Sequence, residues 1–326
     1  METANTKKWR WGVKRWIVLA LAVIGGIIAS KFTPIIMPHI QVAPEVISEK
    51  WFTIPGIGDF YMTNTMLTTM IVYLLIFGVA FIVKQSTSKA DLVPSGISGA
   101  LETVIEMLYN LAESTAGKYA KKIFPWFFSI IVVVLLANWM ELIPGVDTIG
   151  WLHHTEHGYP VKEVANGVFA IFDDKGGHSE GLYHVVPFLR VPSTDLNFTG
   201  ALALVAVFMT QFIGVQTQGI RYFTKFFNFT TMFKKPFFGV LDFAVGILEL
   251  ISEFSKVLSF AFRLFGNIFA GSVLLFIVGS MIPYFMQAAI LVFEFAIGLI
   301  QAFVFGMLTL VFMTQATQGH GDEAHE

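Results

Sequence analysis

The chain has 326 residues, of which 55% are hydrophobic and 13% are charged, and its formal net charge is −2. This composition is too apolar for a soluble domain of that length and indicates an integral membrane protein, and the small net charge argues against a nucleic-acid partner. The chain has no cysteine, which excludes disulfide bonds, thiolate metal sites and cysteine nucleophiles. It also lacks a P-loop, a G-x-S-x-G motif and an H-E-x-x-H motif, so we expect no covalent catalysis by this chain alone and no cofactor or metal.

The first apolar run, residues 16–30, follows a basic segment at residues 7–15. A run of about 15 residues is short for a membrane span and has the usual length of a signal-peptide core. Two interpretations stay open, a retained helix or a cleaved signal, and the poorly formed cleavage site around Ala29 favours the retained helix. Residues 1–61 are interpreted as this segment with an outer-side connection, and residues 62–326 as the membrane domain.

Four further helical segments are predicted before the C-terminal third of the chain. Residues 62–83 form an apolar run long enough to span a bilayer. In residues 97–116 the apolar side chains recur at helical spacing, which predicts an amphipathic surface helix. Residues 125–144 are again hydrophobic, and after a long polar loop at 145–195 the residues 198–215 make another span.

The sequence from residue 236 to residue 314 is almost continuously hydrophobic, with one interruption at residues 281–283. Two helices of nearly 30 residues would each be about 43 Å long at about 1.5 Å per residue, against a hydrocarbon core of about 30 Å. We therefore expect a long, steeply tilted helical hairpin here. The predicted fold class is an all-α polytopic membrane protein with five or six spans, the number depending on whether the first run is retained.

Lysine and arginine residues concentrate in alternate connections of the predicted spans. The basic clusters lie at residues 7–15, 84–89, 118–122 and 221–235, whereas residues 31–61 and 145–190 are poorly basic. Short cytoplasmic connections are enriched in Lys and Arg. We therefore predict that the C-terminus is cytoplasmic and that the long polar loop faces the outer side.

A polar stripe runs along the first helix of the hairpin. Its members are spaced 3, 4, 3, 4 and 4 residues apart, a mean of 3.6, and therefore share one helical face: Glu249, Ser252, Lys256, Ser259, Arg263 and Asn267. An arginine near the bilayer centre costs roughly 2.5–3.5 kcal/mol on insertion scales. No acid lies three or four residues from Arg263, so its neutralising carboxylate must come from elsewhere in the fold or from another protein. For Ser252 and Ser259, simple cross-linking of helices is an equal alternative.

Acidic and amide residues also occur in the other predicted spans. In the last span Glu294, Gly298 and Gln301 share one face, and an antiparallel hairpin brings Gln301 near the level of Arg263. Two further pairs stand near the outer ends of the third and fourth spans, namely Asn138 with Glu141 and Asp195 with Asn197.

These polar residues fall into two sets on either side of Arg263. The outer set contains Glu294, Glu141 and Asp195, and the inner set contains Glu249, Ser252 and Lys256. Two water-accessible half-paths that end at the membrane midplane, separated by a permanent positive charge, would serve a mobile carboxylate on a partner protein. Arginine suits that separation better than lysine, because burial can neutralise a lysine.

The stretch LSFAFRLFGNIFAG, with ILELISEFSK before it and LIQAFVFGMLTLVF after it, resembles the a subunit of F-type ATP synthases. A weaker likeness at ANWMELIPG and PSTDLNFTGALAL extends the resemblance over roughly residues 60–315. It implies a non-catalytic stator subunit that conducts ions, expected to be protons. The implied partners are a rotating c-subunit ring, b-type peripheral stalk subunits and the rest of the synthase, in the bilayer of a bacterial-type inner (plasma) membrane.

The resemblance also implies roles for individual residues. Arg263 matches the essential arginine that faces the ring carboxylate, and Asn267 and Gln301 match polar neighbours of it. Glu249 matches an acid of the cytoplasmic half-channel, and Glu294 matches a position at which the family places His or Glu in the other half-channel.

One position departs from the common bacterial pattern. Ser272 stands where the family often has a Glu or His that is paired with the position of Glu294. A serine can hydrogen-bond a water but does not titrate. Uptake from the outer side is therefore expected to use Glu294 with Glu141 or other groups.

The polar loop is longer than the resemblance implies, and residues 145–190 contain five of the eight histidines. A metal site at HHTEH is conceivable, but adjacent histidines in a loop support it weakly. We favour a solvated loop that buffers protons or fills space beside other subunits. The acidic tail GHGDEAHE is expected to be disordered.

Two rival classes of protein fit less well. A secondary transporter would carry its own substrate site and internal repeats, and no repeat is visible in the sequence. A purely structural scaffold would leave Arg263 without an explanation.

Overall fold

The computed structural model describes residues 11–32, 41–56, 58–87, 97–155, 158–171, 182–226, 236–281 and 285–318. Its α-helices are α1 (Trp11–Phe32), α2 (Asn64–Thr87), α3 (Ile97–Ala116), α4 (Ala120–Trp139), α5 (Leu196–Gln218), α6 (Pro236–Met281) and α7 (Phe285–Thr317). Five helical segments are long and apolar enough to cross a membrane: Asn64–Gln85, Gly99–Leu142, Leu196–Lys225, Phe243–Gly279 and Met286–Thr317. The predicted all-α, multi-span fold class is therefore confirmed.

Helices α2, α3 and α5 lie where the sequence predicts them. The predicted surface helix at 97–116 coincides with α3, which buries one side against α4. Helix α5 begins two residues before the predicted span, because the Asp195 carboxylate caps it by accepting a hydrogen bond from Asn197 N at 2.8 Å. The first apolar run lies within α1, and its retention stays a prediction.

Helix α4 is displaced from its predicted position toward the N-terminus. The sequence predicts a span at 125–144, whereas α4 ends at Trp139 and the chain continues as a 3₁₀ turn at Met140–Leu142. Pro144 explains the early end, because a proline disfavours the helical conformation of the residue before it. Ile143 is accordingly extended, with φ −82° and ψ 118°.

The two C-terminal helices are longer than predicted. Helix α6 has 46 residues and α7 has 33, so at about 1.5 Å per residue they measure about 69 Å and about 50 Å. The predicted length of nearly 30 residues was too short for α6, because no proline follows Pro236 within it. The interruption predicted at 281–283 agrees with the end of α6 and the start of α7, and residues 282–284 lie outside the described part of the chain.

The chain forms two compact units. The larger unit comprises Gln41–Gly150, Pro187–Ala270 and Phe295–Glu326, and the smaller comprises Met1–Ile40, Trp151–Val186 and Gly271–Glu294. Helix α4 runs through the core of the larger unit, where Phe127, Val134 and Ala137 are fully buried. It packs against α2, α3 and α5.

Within the larger unit, α6 and α7 pack against each other in antiparallel directions. Phe260 stacks on Phe305 with 4.7 Å between ring centroids, and Lys256 Nζ lies 4.6 Å from the ring centroid of Phe312. Gly306 lets α7 approach α4 closely, because a Cβ at that position would overlap the side chain of Ile131. This packing fixes the level of α6 relative to α7.

Short β-strands occupy the connections. Strands β1 (Phe52–Ile54) and β2 (Gly58–Phe60) form one antiparallel pair. The region predicted as a polar loop at 145–195 contains five more: β3 (Pro144–Asp147), β4 (Gly150–Thr155), β5 (Val161–Ala165), β6 (Val168–Ile171) and β7 (Leu182–Pro187). Strand β4 pairs with β7, and β5 pairs with β6 around Gly167 at φ +77°. The sequence did not reveal these strands because only Val146 and Val186 are buried in them, which leaves no regular alternation of buried apolar residues.

Candidate functional site

Arg263 lies on α6 at the edge of the packed core. Leu264 and Ile268 are buried in that core, whereas Arg263 is half-buried. Its side chain makes no hydrogen bond and no ion pair with any residue that the structure describes. Within the described ranges, Arg263 therefore has no counter-charge. The sequence allowed two sources for a neutralising carboxylate, elsewhere in the fold or another protein, and the described part of this chain supplies none.

The polar stripe of α6 lies on an open side of the larger unit. Ser252, Ser259 and Asn267 are exposed, and Glu249 and Lys256 are half-buried. Hydroxyl, amide and guanidinium groups are unfavourable against hydrocarbon chains. This side of α6 therefore suits water or another polar protein surface better than lipid.

Gln301 lies near Arg263 in height, as the sequence predicts. Phe260 is opposite Phe305, and the two helices are antiparallel, so one turn along α6 reaches Arg263 while one turn back along α7 reaches Gln301. Gln301 is half-buried and has no hydrogen bond to another described side chain. Both groups are thus available to a third polar partner.

Four charged residues, which we call the lysine cluster, join the 3₁₀ helix Gly219–Lys225 to α6. The Nζ of Lys225 lies 2.5 Å from Glu249 Oε1 and 3.2 Å from Glu253 Oε1. The Nζ of Lys256 lies 2.8 Å from the same oxygen of Glu253. Glu249, predicted to line the inner half-path, is therefore ion-paired. Sequence reasoning missed this arrangement, because Lys225 is 28 residues from Glu253 along the chain.

Asn138 joins three elements at the end of α4. Its Oδ1 accepts a hydrogen bond from Ser193 Oγ at 2.6 Å, and its Nδ2 donates to the carbonyl oxygen of Gly298 at 3.1 Å. The neighbouring Trp139 donates from Nε1 to the carbonyl oxygen of Phe295 at 3.2 Å. Glu141 follows in the 3₁₀ turn and is buried. The structure thus brings Asn138 and Gly298 together.

Asp195 is buried at the start of α5. It accepts a hydrogen bond from Thr65 Oγ1 at 2.7 Å through Oδ2 and caps its own helix through Oδ1. These contacts hold the first turns of α2 and α5 together. The helix-capping position was visible in the sequence as an Asp before an apolar run, but the Thr65 contact was not.

Glu294 is buried in the smaller unit, with 3% of its surface exposed, and neither carboxylate oxygen is hydrogen-bonded to a described residue. It lies directly against the backbone of Gly271 in α6, because a Cβ at Gly271 would be 2.6 Å from the carboxylate carbon. Ser272, the next residue, is buried as well. The glycine therefore makes the space that the carboxylate occupies.

A second buried polar group lies outside the spans. Arg190 donates from Nη1 to the carbonyl oxygen of Ala43 at 2.8 Å, from Nη2 to that of Gln41 at 2.5 Å and from Nε to Thr194 Oγ1 at 3.2 Å. Burial raises the pKa of Asp147 to about 7, although the nearby positive charge of Arg190 opposes that shift.

The histidine-rich segment forms no recognisable metal centre where it is described. The rings of His153 on β4 and His184 on β7 are 6.0 Å apart. In the described ranges no three His, Asp or Glu side chains are grouped as a metal ion would require. Glu156 and His157 of the HHTEH sequence lie outside those ranges.

Comparison with known proteins identifies similar chains. A family model described as ATP synthase A chain matches residues 66–314. ATP synthase subunit a of Acinetobacter baylyi is 31% identical over 256 residues, which cover 76% of this chain and 79% of that protein. The proteins of the same name from Mycobacterium tuberculosis and Helicobacter pylori are each 27% identical over 271 residues, which cover 82% of this chain and 91% and 97% of theirs.

Proposed function

Because the chain belongs to the ATP synthase A chain family, we propose that it is the proton-conducting stator subunit of an F-type ATP synthase and that Arg263 separates two half-paths for protons. The chain is a non-catalytic membrane subunit, so its contribution is to conduct ions to and from a partner protein that moves. The partner in this proposal is a ring of c subunits that each carry one carboxylate within the membrane.

The observation that carries the proposal is the missing counter-charge of Arg263. An arginine that remains charged in a membrane segment needs a carboxylate nearby, and none of the described residues supplies one. The open polar side of α6, with Ser259 and Asn267 on either side of Arg263, would face the ring. A ring carboxylate that arrives there pairs with Arg263 and stays ionised while it passes.

Uptake of protons from the outer side would proceed through Glu294. Its buried carboxylate lacks fixed hydrogen-bond partners among the described residues, which suits a group that gains and loses a proton. Glu141 and Asp195, which the sequence groups with Glu294 in the outer set, would contribute to the same uptake. Ser272 would orient a water but would not relay a proton itself.

Release to the inner side would proceed past Ser252 and Glu249. Both lie on the same side of α6 as Arg263, on the turns toward the lysine cluster. Asn267 and Gln301 would bind the ring carboxylate beside Arg263. Each charge that crosses 100 mV releases about 2.3 kcal/mol, so several protons must be summed for one ATP, and rotation of the ring provides the sum.

The proposed orientation follows from the positive charges. The lysine cluster and the basic residues around Arg221 would lie on the cytoplasmic side of a bacterial-type plasma membrane, together with the C-terminus. The lengths of α6 and α7 exceed a bilayer of about 30 Å, which supports a steep tilt around the ring. The b-type stalk subunits would bind elsewhere on the membrane helices.

The proposal is tested by ATP-driven acidification of inverted membrane vesicles, followed with a pH-sensitive dye. Arg263→Ala should abolish pumping while the complex remains assembled, because protons would then cross between the half-paths without turning the ring. Arg221→Ala is the matched control, since Arg221 is an exposed arginine outside the polar stripe, and it should pump normally. Undiminished pumping by Arg263→Ala in an assembled complex would overturn the two-path mechanism.

A further inference from the structure

The chain before α2 folds into a two-stranded ribbon, which we call the N-terminal ribbon (the described residues from 45 to 64). Its ladder extends beyond β1 and β2, because Ile47 N donates to the carbonyl oxygen of Met62 at 3.0 Å and Asn64 N donates to that of Glu45 at 3.1 Å. Asn64 is the first residue of α2, so the ladder ends on the helix itself. The ribbon is therefore continuous with a membrane span.

The N-terminal ribbon is held at both of its ends. The buried side chain of Arg190 donates hydrogen bonds to the carbonyl oxygens of Gln41 and Ala43, just before the first strand. At the other end, Asn64 Nδ2 donates to the carbonyl oxygen of Pro187 at 3.3 Å. Because both ends are tied to the same part of the larger unit, the ribbon cannot swing far from the start of α2.

One face of the ribbon is aromatic. Phe52 is opposite Phe60 in the register, and their rings stack with 4.8 Å between centroids. Trp51 N also donates to the carbonyl oxygen of Phe60 at 3.0 Å, so two residues of one strand face one residue of the other, as at a β-bulge. The ring of Trp51 lies 6.5 Å from that of Phe60. Trp51 and Phe52 are 55% and 50% exposed, so the three rings form an exposed aromatic cluster.

The opposite face of the ribbon is polar. Thr53 is the register partner of Asp59, one residue along from the Phe52 pair, and side chains alternate between the two faces of a strand. Asp59 Oδ1 accepts a hydrogen bond from Thr53 Oγ1 at 2.6 Å and lies 2.7 Å from Lys50 Nζ. The ribbon is therefore amphipathic, with rings on one face and mutually paired polar groups on the other.

The length of α2 sets the height of the ribbon. Lys84 stands in the last turn of α2, where a basic residue is typical of the headgroup layer. Asn64 lies twenty residues before it, about 30 Å at about 1.5 Å per residue, which is the thickness of the hydrocarbon core. Between them, Leu74 and Phe77 are each 70% exposed on the side of α2 that lipid can reach. The ribbon therefore begins at the boundary between hydrocarbon and headgroups.

We propose that Trp51, Phe52 and Phe60 form an interfacial anchor that inserts into the lipid headgroup region beside the start of α2. Aromatic side chains, Trp above all, are favoured at this depth of a bilayer. A ribbon that lies along the surface buries the rings and leaves the ion pair of Lys50 and Asp59 in water, whereas an upright ribbon would leave the rings in water. The inference does not depend on the proposed path of protons.

The test places a spin label on either face of the ribbon. The chain has no cysteine, so one introduced cysteine gives a single labelling site in it. Ile54→Cys labels the aromatic face, because Ile54 and its partner Gly58 lie on the same side as Phe52, and Thr53→Cys labels the polar face. Both variants keep all three rings. The whole complex is reconstituted in vesicles of phosphatidylethanolamine and phosphatidylglycerol, and the unsubstituted complex measures labelling of the other subunits.

Electron paramagnetic resonance measures collisions of each label with oxygen, which concentrates in acyl chains, and with a nickel chelate, which stays in water. Leu74→Cys, on the exposed side of α2, is the lipid reference, and Lys162→Cys, at an exposed lysine of β5, is the water reference. The ratio of oxygen to nickel collisions at Ile54→Cys should be at least about threefold higher than at Thr53→Cys, because only the aromatic face meets lipid. Thr53→Cys should resemble Lys162→Cys.

Removal of the rings tests the anchor itself. In the Ile54→Cys chain, Trp51→Ala combined with Phe52→Ala should lower the ratio at least about twofold, because the ribbon then loses its hold on the interface. Trp51→Phe should keep the ratio, since an aromatic ring remains. Phe169→Ala is the matched control, because it removes a ring that is also 50% exposed from β6, and it should leave the ratio unchanged.

Three results would overturn the proposal. If the nickel chelate reached Ile54→Cys as freely as Lys162→Cys, the aromatic face would be in water. If neither oxygen nor nickel reached Ile54→Cys, a protein would cover that face in place of lipid. If the ratio stayed as high as at Leu74→Cys after removal of Trp51 and Phe52, other parts of the chain would hold the ribbon, and the rings would not be an anchor.

Discussion

The surroundings of Glu253 and of Glu294 make an instructive comparison. The two carboxylates are buried to a similar extent, with 8% and 3% of their surfaces exposed. Glu253 is bound by Lys225, Lys256 and Gln211, whereas Glu294 has no hydrogen-bond partner in the described ranges. The first arrangement joins helices, and the second leaves a carboxylate without a partner, as the proposed role in proton uptake requires. Depth of burial therefore does not distinguish the two carboxylates, whereas their hydrogen-bond partners do.

The largest effect on stability is expected from removal of Glu253, the carboxylate that is ion-paired with two lysines. Glu253→Ala leaves Lys225 and Lys256 with Glu249 as their only acidic neighbour in the described cluster, and loss of one partner of a buried ion pair costs about 3–5 kcal/mol. Less subunit should accumulate in membranes, and the thermal midpoint of the detergent-solubilised complex should fall. Ser255→Ala, at an exposed hydroxyl bonded to its own helix, should behave as wild type. If Glu253→Ala were as stable as wild type, the ion pairs of Glu253 would not stabilise the helices, and Glu253 would not differ from Glu294 in that respect.

A smaller loss of stability is expected where Glu294 meets Gly271. Gly271→Ala places a methyl group on the carboxylate, and overpacking of this kind costs about 1–3 kcal/mol. The displaced Glu294 should also slow ATP-driven pumping, measured in inverted vesicles. Gly78→Ala adds the same methyl group to α2 at a position with open space and should be neutral. Equal behaviour of the two variants would mean that Glu294 does not need the space at Gly271.

Asp147 is intermediate between Glu253 and Glu294, because the positive charge of Arg190 is near it but forms no ion pair with it. Its folded-state pKa of about 7 is above the ordinary 3.8, so at intermediate pH the folded state binds more protons than the unfolded state. Stability should therefore fall as pH rises from about 4 to about 7 and then level off. Asp147→Asn should remove this dependence of the thermal midpoint on pH across that window, because asparagine does not titrate. Asp59→Asn, at an exposed carboxylate, should leave the slope unchanged.

The smallest change in stability is expected for Glu294→Gln. Glutamine keeps the shape of the side chain, and no described partner is lost, so the free energy of unfolding should change by less than about 0.5 kcal/mol. Pumping should nevertheless fall at least about tenfold, because glutamine cannot transfer a proton. A variant that pumps normally would remove Glu294 from the uptake path and would leave its burial without a functional reason.

Periodicity in the sequence predicted the helices well and the contacts between them poorly. The 3.6-residue spacing from Glu249 to Asn267 required one continuous helix, and α6 provides it. The same rule could not predict that Gly271 would lie against Glu294, because that contact depends on how two helices slide past each other. It also could not predict the Lys225 to Glu249 pair, whose members belong to different elements.

The remaining differences between prediction and structure lie at the end of α4 and in the long loop that follows it. Pro144 marks the end of α4 more reliably than the hydrophobic run that continues up to it. The strands β4 to β7 were not predicted because they have four to six residues and only one buried side chain, Val186, so burial imposes no alternation on the sequence. The lack of a counter-charge for Arg263 on its own helix, by contrast, was visible in the sequence, because no acid lies three or four residues from it.

Helix α6 also has a mechanical property. Its 46 residues contain no proline after Pro236, so one uninterrupted ladder of backbone hydrogen bonds runs along its whole length. If the proposed ring turns against the polar side of α6, it exerts a sideways force on this helix, and a helix without a proline kink distributes that force over many turns. In that case, bending of α6 would store part of the elastic energy of rotation, and Arg263 would stay at one height relative to each ring carboxylate.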